Sequence, residues 1–279
     1  MFTDITISFI GSGTMAEAMI RGLLTQKIVG AEQIVAAGPR PERGEELQQK
    51  HGVRVTTDNT EAAEEGQIVV IASKPQVLPK IVPEIRGHLR RRDLVLSILA
   101  GTPIKLLADG LAHAAVVRAM PNTPAQIGRG ITVWTATPEV SELQKEQAQA
   151  ILGSLGADVF VEEEDYLDMA TALSGTGPAY VFMFMEAMID AGVHMGFSRR
   201  VASQLVFETL RGSVEYAAQS GKHVAELRNQ VTSPGGTTAE ALYHMEKGGL
   251  RTVLSRGIFA AYQRSISLGK GKKQADVDV

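Results

Sequence analysis

Ile5-Thr6-Ile7-Ser8-Phe9-Ile10-Gly11-Ser12-Gly13-Thr14-Met15-Ala16 decides the fold. A β-branched apolar run reads as a buried strand and passes directly into G-x-G-x-x-A. An amphipathic stretch, Met15–Leu24, follows with helical spacing. Gly11 permits a tight turn, Gly13 lets a ligand approach the backbone, and Ala16 keeps helix and strand close. The helix start then offers unpaired N–H groups and a partial positive charge to phosphate, with Ser12, Thr14 and Met15 in the same loop. The bland alternative is an ordinary glycine-rich βα turn.

Working outward, short apolar runs alternate with helical patterns up to about residue 165, which predicts a largely parallel sheet. The strand candidates are Ile5–Ile10, Gln33–Ala37, Val53–Val55, Ile68–Ala72, Leu94–Ile98, Ala115–Ala119, Ile131–Thr135 and Asp158–Val161. Helical patterns between them include Glu42–Lys50, Leu78–Leu89 and Glu139–Leu155. From Tyr166 the strand signals stop, and six helical segments follow: Tyr166–Leu173, Ala179–Met195, Arg199–Ser220, Val224–Val231, Thr238–Lys247 and Leu250–Ser267. The expectation is an α/β, Rossmann-like nucleotide domain over 1–165, an all-α domain over 166–268 and a disordered tail over 269–279.

Composition narrows the function. The 279 residues carry a net charge of −3 and no cysteine, and 44% are hydrophobic. Disulfides, thiolate metal sites and cysteine nucleophiles are thereby excluded, and there is no basic excess for nucleic acid. Six scattered histidines without ligand spacing predict no metal site. Tyr180–Phe197 is apolar, but Glu186, Asp190 and His194 interrupt it, so it reads as a buried helix rather than a membrane span. The start MFTDITISFIG has no charged region followed by a long apolar one, from which a cytoplasmic location is expected. Glycine, at 28 residues, is roughly eight above average usage, and six of them, Gly11, Gly13, Gly175, Gly177, Gly235 and Gly236, fall in loops that open helices.

At the end of the second strand an NAD site places an acid for the ribose hydroxyl, whereas this chain has Ala36-Ala37-Gly38-Pro39-Arg40, with Arg43 one turn on. A guanidinium there suits a 2′-phosphate, so NADP(H) is the preferred cofactor, with NAD(H) as the alternative. Ala72-Ser73-Lys74-Pro75 ends the fourth strand and Ala100-Gly101 follows the fifth, both where ligands lie in open α/β sheets.

Two further glycine-rich stretches precede helices: Ser174-Gly175-Thr176-Gly177-Pro178, and Ser233-Pro234-Gly235-Gly236-Thr237-Thr238. Neither carries a Walker lysine, and both suit a small carboxylate. Thr237-x-x-Glu240 reads as a capping box, which leaves the Thr238 hydroxyl without a capping duty. Asn122 in Met120-Pro121-Asn122-Thr123-Pro124 reads as an active-site wall or a turn-former, and Glu162–Asp165 as an active acid or a solvated turn. No nucleophile elbow or zinc helix is present, so the chemistry must lean on a cofactor and on positioning.

Together these motifs resemble the pyrroline-5-carboxylate reductase family from Ile7 to about Leu268. The most specific part is Val231-Thr232-Ser233-Pro234-Gly235-Gly236-Thr237-Thr238 with Ala241-Leu242, and Met120–Pro124 and Leu173–Tyr180 also match. The resemblance implies reduction of the cyclic imine 1-pyrroline-5-carboxylate to proline with NADP(H) or NAD(H). It implies a helical domain that interlocks a homodimer, often within a ring of dimers such as a decamer. It also implies cofactor contact at Asn59 and substrate contact at Ser233, Gly235, Gly236, Thr237 and Thr238. Glu164 lies nearby in that scheme, and Thr238 sits beside the imine nitrogen as the catalytic hydroxyl. Val224 and Thr176 depart from the family pattern. Other readings are a paralogue acting on another cyclic imine and a non-catalytic NADP-binding regulator. A β-hydroxyacid dehydrogenase is disfavoured, since none of the asparagines 59, 122 and 229 has a lysine four residues before it.

Overall fold

A computed structural model describes residues 1–270. Its contacts divide the chain into two compact units, residues 1–177 with the segment from Ala261 onward, and Pro178–Ala260.

The first unit is built on one sheet of eight strands: β1 (Ile7–Ile10), β2 (Ile34–Ala37), β3 (Arg54–Thr56), β4 (Ile68–Ile71), β5 (Leu94–Ser97), β6 (Val116–Met120), β7 (Gly130–Ala136) and β8 (Gly156–Phe160). The order is β3-β2-β1-β4-β5-β6-β7-β8. Strands β1, β2 and β4 are buried along their whole length, as fully covered parallel strands must be, which explains their unbroken apolar runs. One helical layer comprises α1 (Thr14–Thr25), α2 (Pro41–His51) and α6 (Glu142–Gly153). It packs Met19, Ile20, Leu23, Leu47, Ile151 and Leu152 against Ile7, Phe9 and Val70. The other face takes α3 (Asn59–Glu65), α4 (Leu78–Ile85) and α5 (Ile104–Leu111), whose Ala62, Ile81, Ile85 and Leu107 meet Ile10, Val69 and Ile71.

β7 is the exception to the parallel pattern. It runs antiparallel to β6, with Ala119 opposite Trp134. The turn at Thr123–Ile127 and left-handed Gly128 leave no length for a crossover helix, so the chain doubles back. Strand direction leaves no trace in an apolar pattern. α4 stops at Ile85, short of the expected Leu89, with Pro83 within it and Gly87 left-handed beyond.

The unit boundaries at 177 and 260 differ from those read at 165 and 268. After β8, α7 (Tyr166–Ala170) joins the sheet through Arg118 on β6, which is 3% exposed and pairs with Asp168 Oδ1 at 3.3 Å. Ser265, on α12 (Leu250–Gly269), donates to the same oxygen at 2.7 Å. These contacts tie α7 and the last turns of α12 to the sheet within the first unit. Of the expected tail, Gly269 closes α12, and residues 271–279 lie outside the described residues.

The second unit contains helix only: most of α8 (Gly177–His194), all of α9 (Arg199–Ser220), α10 (Val224–Gln230) and α11 (Thr237–Lys247), and the first half of α12. Gly192 brings α8 close to Ala202 of α9, and Ile189, Ala202 and Val206 form a small core. Around it Phe182, Met183, Leu205, Val214, Tyr216 and Val253 stay exposed. Among the described residues no helix is long and apolar enough to cross a membrane.

Candidate functional site

The strand order reverses beside β1, and at the carboxyl ends of β1, β2 and β4 lies a cleft of about 870 Å³. Its lining combines Gly11–Met15, Gly38–Arg40, Thr57–Asn59, Ala72–Lys74 and, from α4, Lys80 and Glu84. Gly11 has φ +110°, and a Cβ there would lie 2.8 Å from the backbone of Ala72 and Ser73, so only glycine lets the β1 and β4 ends meet. Gly13 caps α1 without a side-chain bond, and a Cβ there would meet nothing within 4 Å. The first helical bond runs from Glu17 N to Gly13 O, which leaves the N–H groups of Thr14, Met15 and Ala16 without intrahelical acceptors. An open approach to the backbone, free donors and a positive helix end fit a dinucleotide pyrophosphate.

The two arginines after β2 divide the work. Arg40 is the N-cap residue of α2 and lines the cleft, and its side chain makes no ion pair or hydrogen bond among the described residues. Arg43 turns inward instead. Its Nε donates to Ser12 O at 3.0 Å, Nη2 to Glu17 at 2.5 Å and Nη1 to Glu46 at 2.9 Å. Glu17 also accepts from Lys50 at 2.6 Å and lies 3.1 Å from His51 Nε2. Led by Lys50, then Arg43, these donors outweigh burial and lower the Glu17 carboxyl to about 2. The same partnership raises the Arg43 guanidinium above its ordinary range. Arg43 is therefore a clamp on the loop, and Arg40 is the guanidinium left for a ligand.

Asn59, at the first position of α3, lines the cleft and donates from Nδ2 to Glu84 Oε2 at 2.6 Å. Met15, Ser73 and Lys74 also line it, whereas Ala16 is fully buried behind the loop. Pro75, Ala100 and Gly101 do not reach the cleft. Gly101 is left-handed, and a Cβ there would lie 2.9 Å from Leu268 Cβ, so its compactness serves the packing of α12.

Two readings of the other loops change, and at Asn122 the turn-former alternative is kept. Ser174–Pro178 is no open anion loop. Thr171–Gly175 forms a π-helical turn in which Thr176 N and Oγ1 both donate to Thr171 O, at 2.8 and 2.9 Å, and Ser174 Oγ donates to Ala170 O at 3.0 Å. The wide turn absorbs the residues that looked like a break. Asn122 is the turn-former of its two readings, accepting from Ile131 N through Oδ1 at 3.0 Å. The expected capping box at Thr237 does not form, because α11 is capped one residue earlier by Gly236. Left-handed Gly235 closes a turn from Gly236 N to Ser233 O at 3.1 Å, and the first helical bond is Glu240 N to Gly236 O at 3.2 Å. Thr237 and Thr238 thus both lie in the first turn. Their N–H groups and that of Ala239 lack intrahelical acceptors, and Glu240 faces His244 at 3.3 Å.

Glu164 is engaged within the first unit. Its Oε1 accepts from Arg118 Nη1 and from Ile104 N, each at 2.7 Å. Arg118, Glu84, Lys80 and the acid Glu17 were not read from the sequence. Each is brought to its place by packing between elements distant in the chain, and no local motif marks it.

Comparison with known proteins agrees with this geometry. Residues 164–268 match the family model described as pyrroline-5-carboxylate reductase dimerisation, and residues 6–101 match that of NADP oxidoreductase, coenzyme F420-dependent. Pyrroline-5-carboxylate reductase of Synechocystis sp. is 40% identical over 267 residues, 96% of this chain and 99% of that protein. A crystal structure of Plasmodium falciparum pyrroline carboxylate reductase with NADP bound superposes with a TM-score of 0.87 at 32% identity, covering 95% of this chain and 98% of that one. A Coxiella burnetii pyrroline-5-carboxylate reductase gives 0.87 at 34% identity, covering 95% and 99%. An α/β half carrying an open cleft at its glycine loop, a helical half carrying a SPGGTT turn, and identity along nearly the whole chain place this protein in the pyrroline-5-carboxylate reductase family.

Proposed function

We propose that the chain reduces 1-pyrroline-5-carboxylate to L-proline with NADPH, and accepts NADH. The observation that carries this reading is the paired set of open donors, those of Thr14–Ala16 in the cofactor cleft and those of Thr237–Ala239 after the SPGGTT turn. The first suits a pyrophosphate and the second a small carboxylate. Bound in the cleft, the nicotinamide cofactor supplies a hydride to the imine carbon.

The chain's own residues bind and orient. Gly11–Met15 and Ala16 hold the pyrophosphate, Arg40 a 2′-phosphate, and Asn59 with Ala72–Lys74 the ribose side. Ser233, Gly235, Gly236 and Thr237 seat the carboxylate, so that binding energy fixes the face of the ring. Thr238 Oγ1 accepts from the iminium N–H. A substrate that already carries its proton needs no strong general acid, in keeping with the lack of one in either loop. Glu164, held by Arg118, supports the wall beside Ile104.

The segment 166–268 serves as a dimerisation domain. Phe182, Met183, Val214 and Val253 are 57%, 62%, 68% and 62% exposed around a core of three buried residues, an apolar surface that a second copy of this chain would cover. A homodimer, alone or in a ring of dimers such as a decamer, and a cytoplasmic setting complete the proposal. Light scattering of the purified protein measures the assembly, with a monomer as the outcome that refutes it. The activity is tested by following NADPH and NADH absorbance on addition of pyrroline-5-carboxylate. Binding of either cofactor without turnover of this imine would refute the enzymatic reading.

A further inference from the structure

Gly38 is the first residue after β2, at the strand end where a site built for NAD carries the acid that accepts from the ribose 2′-hydroxyl. The backbone there does not call for glycine, since its φ is not left-handed. The neighbour does. A Cβ on Gly38 would collide with Ser12 Oγ and lie 3.1 Å from Ser12 Cβ, so the serine hydroxyl fills the space in which any side chain at 38 would begin. The Ser12 backbone is tied as well, because Arg43 Nε holds its carbonyl at 3.0 Å. Ser12 is 8% exposed, and its Oγ makes no hydrogen bond to protein among the described residues. Both Ser12 and Gly38 line the cleft, so this largely buried hydroxyl lacks a partner at the place where a ligand can supply one.

We propose that Ser12 is a specificity-determining residue for the cofactor: its hydroxyl bars an acidic side chain from the end of β2 and stands in that place as the polar group that meets the ribose 2′ position. This rests on the reading that the cleft holds a nicotinamide dinucleotide. An acid at 38 would accept from a 2′-hydroxyl and repel a 2′-phosphate, whereas a serine hydroxyl donates to the phosphate and also accepts from the hydroxyl. Ser12 therefore leaves Arg40 unopposed at a 2′-phosphate while NADH remains usable. The selectivity lies in the pair, a side chain on the glycine loop and the missing side chain on the next strand.

The test is equilibrium binding of NADPH and of NADH to the full chain, by nicotinamide fluorescence, for wild type, Ser12→Ala, Gly38→Asp, and Ser12→Gly combined with Gly38→Asp. Ser12→Ala keeps the Cβ and should weaken NADPH by roughly tenfold, the scale of a hydrogen bond to a charged group, and NADH by about threefold or less. Gly38→Asp alone should weaken both cofactors, because its side chain displaces Ser12. Adding Ser12→Gly to it should bring NADH back to within about threefold of wild type while NADPH stays at least about tenfold weaker, reversing the preference. An NADPH-to-NADH affinity ratio within about twofold of wild type in Ser12→Ala would overturn the 2′ contact. NADH binding by Gly38→Asp that is equal with and without Ser12→Gly would overturn the steric exclusion. If Gly38→Asp alone does not fold, the combined variant carries that arm, and a wild-type preference in it overturns the proposal. A wild-type chain that binds neither dinucleotide overturns the cofactor reading itself.

Discussion

Arg43 Nε donates to the backbone carbonyl of Ser12 at 3.0 Å, so a side chain on α2 holds the middle of the glycine loop from behind. That bond ties α2 to the loop whose Thr14–Ala16 N–H groups have no intrahelical acceptor. The distinction between Arg43 as clamp and Arg40 as ligand contact separates two mutants three residues apart.

Arg40→Ala should weaken NADPH by about tenfold or more, as expected for loss of a charge-assisted phosphate contact, while leaving NADH nearly unchanged. Arg43→Ala should weaken both cofactors alike, since both carry the pyrophosphate proposed to lie on the loop. Equilibrium dissociation constants for the two cofactors decide it, and equal losses for Arg40→Ala would refute the 2′-phosphate contact.

Acid should loosen the same clamp. The Glu17 carboxyl is lowered from about 4.5 to about 2 in the fold. Its contribution to stability is therefore fully present above pH 4.5, and is lost as pH falls through that window toward 2. Thermal melts of wild type and Glu17→Gln between those limits should converge at the acid end. Parallel curves across the window would show that Glu17 is not the titrating group.

The two loop glycines should fail differently. Gly11→Ala places a Cβ 2.8 Å from the Ala72 and Ser73 backbone at φ +110°, and should lower stability by about 1–3 kcal/mol. Gly13→Ala meets no protein atom within 4 Å, and should melt like wild type while losing cofactor affinity. Calorimetry paired with cofactor titration measures both, and normal cofactor binding by Gly13→Ala would argue against a backbone approach there.

Thr238→Ala should lower kcat while cofactor affinity is kept, and Thr238→Ser should restore much of it. An alanine variant with full turnover would remove Thr238 from the chemistry.

Arg118→Met should cost about 1–3 kcal/mol, because it removes a guanidinium only 3% exposed from Glu164 and Asp168, which are 31% and 20% exposed and keep Ile104 N and Ser265 Oγ as donors. Urea unfolding measures the loss. A change below about 1 kcal/mol, the scale of an exposed pair, would assign the network to the surface class.

Much of this was legible in local sequence. Gly11-Ser12-Gly13 after an apolar strand fixed the cleft's place, and the proline and glycine positions around Ser233–Thr238 marked a helix start. The Ser174–Pro178 stretch misled, because glycine and proline that usually end a helix here accompany a π-helical turn. The cap at Gly236 was missed for a related reason. Thr237 and Glu240 have capping-box spacing, but the left-handed Gly235 turn starts the helix before Thr237.

By itself, then, the sequence determined what depends on neighbours along the chain: strand and helix periods, the glycine loop, the missing acid after β2 and the family motifs. Tertiary structure alone decided what depends on partners far apart in sequence. The antiparallel turn of β7, the inward choice of Arg43, the capture of Asn59 by Glu84 and of Glu164 by Arg118 each join separate elements. A hydrogen bond is set by distance and direction in space, and between residues 25, 31 or 46 positions apart no spacing rule records it.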